Sequence, residues 1–102
     1  MEDAARAARL FKALSSETRV RIVRLLRDRA LCVGALAARL GVSSAAVSQH
    51  LRILREAGLV TADKRGYYVH YHLNGAALAQ WDRIAADLLT PRRRPARGSH
   101  TG

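Results

Sequence analysis

The sequence predicts a mainly helical domain, five helices in succession with a β-hairpin between the fourth and the fifth. Three observations carry this expectation. Apolar residues recur at three- and four-residue steps through most of the chain, and only residues 67–73 switch to clear two-residue alternation. Ser, Asn and Gly stand where these patterns begin and end. The chain has 102 residues, 49% of them apolar, which is enough for one core and too little for two.

Glu2 to Leu14 is alanine-rich, and Ala4, Ala7, Ala8, Phe11 and Leu14 form a narrow apolar stripe on a first helix. Ser15 and Ser16 offer capping oxygens, and Glu17 places negative charge in the first turn of a second helix. Val20, Ile22, Val23, Leu25 and Leu26 make that helix central to the core. A short third helix, Leu31 to Leu40, carries Val33, Leu36 and Leu40 on one side, and Gly41 supplies a left-handed stop.

Ser43 caps a fourth helix of about Ser44 to Ala57, closed by Gly58, in which Val47, Leu51 and Leu54 share the buried face. At ~100° per residue, Ala45, Ser48, Gln49 and Arg52 point the other way, giving a small-residue polar face of a kind that enters a DNA groove. Leu59 to Asp63 and Tyr67 to Leu73 read as strands joined by Lys64-Arg65-Gly66, a hairpin with a basic tip. Asn74 caps a last helix with Leu78, Trp81, Ala85 and Leu88 on one stripe, ended by Thr90-Pro91. The domain thus covers residues 1–90, and 91–102 is expected to be a basic disordered tail.

Eighteen Lys and Arg against eight Asp and Glu give a formal charge of +10, which calls for a polyanionic partner. Without Arg92, Arg93, Arg94 and Arg97 of the tail, fourteen bases still face eight acids and the body keeps +6. No apolar run approaches the ~18–20 residues of a membrane span, and the acidic start Met-Glu-Asp is unlike a secretory signal, so a cytoplasmic protein is expected. Cys32 is the single cysteine, which excludes an intrachain disulfide and fits a reducing compartment. The sequence has no Gly-rich phosphate loop, no G-x-S-x-G elbow and no H-E-x-x-H, and its eight carboxylates read as solvated helix faces, so no enzyme is expected. The competing reading is a basic module that binds RNA or protein, for which Tyr67 and Tyr68 supply the only stacking aromatics.

A short helix, a Gly-containing turn, a capped second helix with a polar outer face and a basic hairpin make the order of a winged helix-turn-helix. The stretches FKALSSETRVRIVRLL, LCVGALAARLGVS, AVSQHLRILREAGLV and RGYYVHYHL resemble the ArsR/SmtB family of arsenic- and zinc-responsive repressors, a similarity that covers about Leu10 to Leu89. The resemblance implies a homodimeric prokaryotic regulator that binds operator DNA and usually releases it when an inducer, often a metal ion, binds. It places recognition positions at Ser43, Ser44, Ser48, Gln49 and His50, and the wing at Arg65 and Gly66. Side-chain chemistry adds detail. Gln49 can bond two edges of adenine, Ser48 can serve a donor or an acceptor edge, and the Ala45 methyl can lie against thymine. His50 sits on the flank of the helix, where it can also bond locally. Arg52, Lys64 and Arg65 suit phosphates, and Arg65 can also reach a minor groove.

The inducer site departs from the family. Its thiol sensors carry paired cysteines in the third helix; here Cys32 keeps the first position and Gly34 holds the second. Its zinc sensors use Asp and His on the last helix; here that helix has Asp82 and Asp87 and no histidine. His70 and His72, two apart on one strand, share a face and could hold nickel or zinc with moderate affinity, completed by water, Cys32 or an acidic side chain. Otherwise they face solvent or phosphate, and sensing belongs to a separate co-regulator protein. Phe11, Leu78, Trp81 and Leu88 form stripes that a fold of this size cannot cover, so a symmetric homodimer is expected to bury them.

Overall fold

The computed structural model describes residues 2–91, and of Glu2 and Asp3 only the backbone. The elements are α1 (Glu2–Ala13), α2 (Glu17–Leu26), β1 (Leu31–Cys32), α3 (Val33–Leu40), α4 (Ser44–Glu56), β2 (Val60–Arg65), β3 (Tyr68–Leu73) and α5 (Gly75–Leu89). Five helices and the hairpin stand in the expected order. Of the predicted tail, residues 92–102 lie outside those described.

Local chemistry sets the helix starts. Ser16 Oγ accepts from the Arg19 amide at 3.3 Å, while Ser15 Oγ turns back to donate to the Lys12 carbonyl at 2.7 Å, so the two serines serve different helices. Asn74 Oδ1 accepts from the Ala77 amide at 3.3 Å, and its Nδ2 donates to the Gly58 carbonyl at 3.1 Å. One side chain therefore caps α5 and fastens it to the end of α4.

The core is a three-helix cluster of α2, α3 and α4 closed by the sheet. Ile22, Leu36, Val47, Leu51, Leu54 and Leu59 are its fully buried large side chains, and α1 adds Leu10 and Ala13. By contrast, α5 has no buried residue; Leu78, Trp81 and Ile84 lie half-buried against the core.

The sheet corrects the sequence reading twice. Leu31 and Cys32 are not the first turn of the third helix; they form a strand whose partners are Tyr71 and His70, so the hairpin becomes a three-stranded sheet in the order β1-β3-β2. Leu31 is buried there, and backbone pairing with β3 outweighs continuation of the helical pattern. The hairpin turn is also displaced. Register pairs Arg65 with Tyr68, leaving Gly66-Tyr67 as a two-residue connection in which Gly66 has φ of 63° and Tyr67 has no positive φ. Those signs suit a type II′ turn, which takes Gly at its first central position. Lys64 and Arg65 are consequently the last residues of β2, and Tyr67 is the tip.

Candidate nucleic-acid interface

Gly41, with φ of 70°, adopts the left-handed conformation that turns the chain from α3 into α4. Ser43 follows in extended conformation, and its Oγ accepts from the Ala46 amide at 3.1 Å. Val47, Leu51 and Leu54 fix the rotation of α4 by burying one side completely. On the other side Ala45, Ser48, Gln49 and Arg52 are exposed, as their spacing predicted, and Ser43 and Ser44 at the start of the helix are exposed as well. The helix therefore offers small hydroxyl, methyl and amide groups on a surface held rigid from behind.

A groove of about 480 Å³ runs between this helix and the sheet, lined by Ser48, Leu51, Arg52, Arg55, Glu56 and Tyr71. Directly paired residues in an antiparallel sheet share a face. Lys64, opposite Val69, thus lies on the face that Tyr71 turns to the groove, and Arg65, opposite Tyr68, lies on the other. The wing carries one cation on each side near its tip. Two carboxylates missed in the sequence temper this charge: Arg52 Nε lies 3.5 Å from Glu56, and Arg65 Nη2 lies 3.8 Å from Asp63. Both pairs are mostly exposed and weak, so the arginines stay available to another anion.

His50 does not join the exposed row. It is half-buried, and its Nδ1 lies 3.2 Å from Nη1 of Arg19, a residue thirty-one positions away that sequence spacing had not connected with it.

The candidate metal ligands are only partly brought together. His70 stands between Cys32 on β1 and Asp63 on β2 in direct register, so all three share a face. His72 is on that face too, but Thr61 Oγ1 lies within 3.0 and 3.2 Å of its two ring nitrogens, and its Nδ1 is 3.3 Å from the Leu73 carbonyl. Among the described residues no group of three or more His, Cys, Asp or Glu is placed to hold a metal ion. Neither histidine projects freely into solvent; both are half-buried, and His70 Nδ1 is buried without a hydrogen-bond partner. Cys32 is half-buried at the start of α3, where its side chain makes no capping bond.

The expected dimer residues divide. Phe11 and Leu88 are exposed, whereas Leu78 and Trp81 rest against the core, with Trp81 edge-on to Phe11 at 5.7 Å between ring centres. The Trp81 Nε1–H is buried and unpartnered. Beside them, Ala4, Ala7, Ile84 and Leu88 help line a groove of about 590 Å³ between α1 and α5. No helix among the described residues is long and apolar enough to cross a membrane.

Comparison with known proteins agrees with this architecture. The family described as "Bacterial regulatory protein, arsR family" matches residues 16–62, which hold α2, α3, α4 and the start of β2. The chain is 42% identical over 73 residues to the transcriptional activator HlyU of Vibrio cholerae, covering 72% of this chain and 68% of that protein. It is 47% identical over 66 residues to the arsenical resistance operon repressor of Escherichia coli, covering 64% of this chain and 56% of that one. A solved structure, the ArsR-like transcriptional regulator from Rhodococcus sp. RHA1, superposes with a TM-score of 0.79 at 35% identity, over 86% of this chain and 83% of that chain. These relatives are transcriptional regulators and not enzymes. A capped helix with a polar outer face, a basic wing and this likeness along the chain converge: the protein belongs to the ArsR family of winged helix-turn-helix, DNA-binding transcriptional regulators.

Proposed function

We propose that the chain binds a palindromic operator as a homodimer and represses transcription there, with α4 in the major groove and the wing along the flanking backbone. The observation that carries this reading is the exposed row Ser44, Ala45, Ser48 and Gln49 on a helix whose opposite side is fully buried. Ser48, Gln49 and the Ala45 methyl supply base-edge chemistry, and Arg52, Lys64 and Arg65 supply phosphate contacts. The incompletely covered apolar side of α5, with Leu88 exposed on it and Phe11 exposed on the neighbouring α1, supports pairing with a second copy. Two-fold symmetry then sets two recognition helices about one or two DNA turns apart.

Metal takes a secondary place in this reading. Cys32 and His70 face one another across β1 and β3 and offer two ligands, which suits nickel or zinc of moderate affinity and leaves operator binding intact without metal. A strong inducer response then comes from a separate co-regulator. Calorimetric titration of nickel and zinc into wild type, Cys32→Ser and His70→Ala tests this, and nanomolar binding that switches DNA affinity in the chain alone defeats it.

Selection from random duplex DNA, with structured RNA as competitor, tests the main reading. The expected product is an inverted repeat. Gln49→Ala weakens binding to that repeat far more than to random duplex, whereas Arg65→Ala weakens both and lowers the salt slope by about one. An unsymmetrical product, or tighter binding to RNA, overturns it.

A further inference from the structure

The guanidinium of Arg19 is occupied within the protein. Its Nε donates to the Ala13 carbonyl at 2.6 Å, its Nη2 to the Lys12 carbonyl at 3.4 Å, and its Nη1 points at His50 Nδ1, 3.2 Å away. Lys12 and Ala13 end α1, where the helix dipole favours a cation; the Lys12 carbonyl already accepts from the Ser15 amide at 3.1 Å and from Ser15 Oγ at 2.7 Å, so the Ala13 carbonyl is the main acceptor for Arg19. The third bond reaches α4.

That bond also fixes a proton. Arg has five N–H donors, no acceptor, and does not deprotonate, so His50 Nδ1 must accept and the ring hydrogen must sit on Nε2. Among the described residues Nε2 has no hydrogen-bond partner, and on this half-buried ring it is not fully buried, so it keeps a path to an outside acceptor. We propose that Arg19 is a positioning residue for DNA recognition: it holds half-buried His50, on the flank of α4 beside the exposed row, as a neutral Nε2–H donor and fastens that helix to the end of α1.

The inference rests on the DNA-binding reading and extends it to a pair of residues absent from the exposed row. His50 gives an N–H to an acceptor on the duplex, with its ring already oriented before DNA arrives, so little ordering is needed on binding. Arg19 adds no phosphate contact of its own. Because α1 flanks the surface assigned to the second copy, the same clamp ties the angle of α4 to the dimer face.

The tautomer is read directly in free, ¹⁵N-labelled protein by long-range proton–nitrogen spectra, with His50 signals assigned by their loss in His50→Gln. The expected result is an unprotonated Nδ1 and a protonated Nε2 in wild type, and a mixture of tautomers in Arg19→Gln. The opposite tautomer in wild type overturns the proposal. Operator binding supplies the second readout. Arg19→Gln should lose about tenfold in affinity, the size of one hydrogen bond to a charged group, with an unchanged salt slope. A slope lower by about one would mean that Arg19 neutralises a phosphate, and the clamp would be wrong. His50→Gln keeps an acceptor and a donor and should stay within about twofold of wild type, whereas His50→Leu should fall as Arg19→Gln does. Wild-type affinity in His50→Leu overturns the donor role even if Arg19→Gln fails to fold. A wild-type chain that binds no duplex overturns the regulator reading and the recognition role together, and the spectrum of the free protein keeps that failure distinct from failure of the clamp.

Discussion

Helices α4 and α5 are built alike and end differently. They have 13 and 15 residues, and each starts at a side-chain cap, Ser43 or Asn74, followed by an apolar stripe at helical spacing. The stripe of α4 disappears into the core, while that of α5 leaves Leu88 at 58% exposure and buries nothing completely. The difference teaches where each helix has its business. Once its main apolar stripe is closed, α4 offers a mostly polar surface, with Ile53 its one exposed large apolar residue, and a polar side of small groups suits a DNA groove. In α5 the apolar side itself is on offer, and it suits a surface of the same kind on another copy.

Substitutions can break or sharpen this contrast. The largest expected effect is Leu51→Ala, which opens a cavity behind α4 and should destabilise the fold by about 2–5 kcal/mol in urea or thermal unfolding. A loss below about 1 kcal/mol would mean that α4 is not locked from behind. If the proposed dimer pairs through α5, Leu88→Glu should leave the fold of each chain intact and yield a monomer in sedimentation, because a charge enters an apolar contact. If the dimer persists, α5 is not its interface. Ser43→Ala removes the cap of α4 and should cost about 1 kcal/mol of stability, with a parallel loss in operator affinity. The smallest effect is expected from Glu56→Gln, which frees Arg52 from its carboxylate: stability should move by less than about 0.5 kcal/mol, while DNA affinity rises a few-fold. A fall in DNA affinity would show that the Arg52–Glu56 pair orders the surface.

The parts of this fold that were legible in the sequence are those decided within a few residues. Ser16, Ser43 and Asn74 cap their helices through amides three positions ahead, and Gly41 ends α3 by its own backbone conformation, so local chemistry announces each. The exposed row on α4 was equally legible because Val47, Leu51 and Leu54 fix its rotation. What escaped depends on partners far along the chain. Leu31 and Cys32 become a strand only because Tyr71 and His70 arrive beside them, and nothing within the helical spacing of Val33, Leu36 and Leu40 signals it. The turn slipped because Lys64 and Arg65 look like loop residues, whereas cross-strand pairing with Val69 and Tyr68 keeps them extended. Arg19 carried no role in the sequence reading, because only the approach of α1 and α4 gives its guanidinium three partners.

The short pairing of β1 with β3 has a mechanical consequence for the wing. Leu31 and Cys32 hold its base at Tyr71 and His70, while the rungs Lys64–Val69 and Arg65–Tyr68 reach beyond that anchor with one neighbour only. The wing is thus a cantilever, clamped at one end to the residues that lead into α3 and free at the other. Backbone amides at its root should exchange with solvent deuterium slowly and those near Tyr68 fast, so stiffness falls off along a single hairpin. A beam of this kind sets the bearing of its tip through the helices behind it and still lets the last two rungs follow the local width of whatever groove they meet.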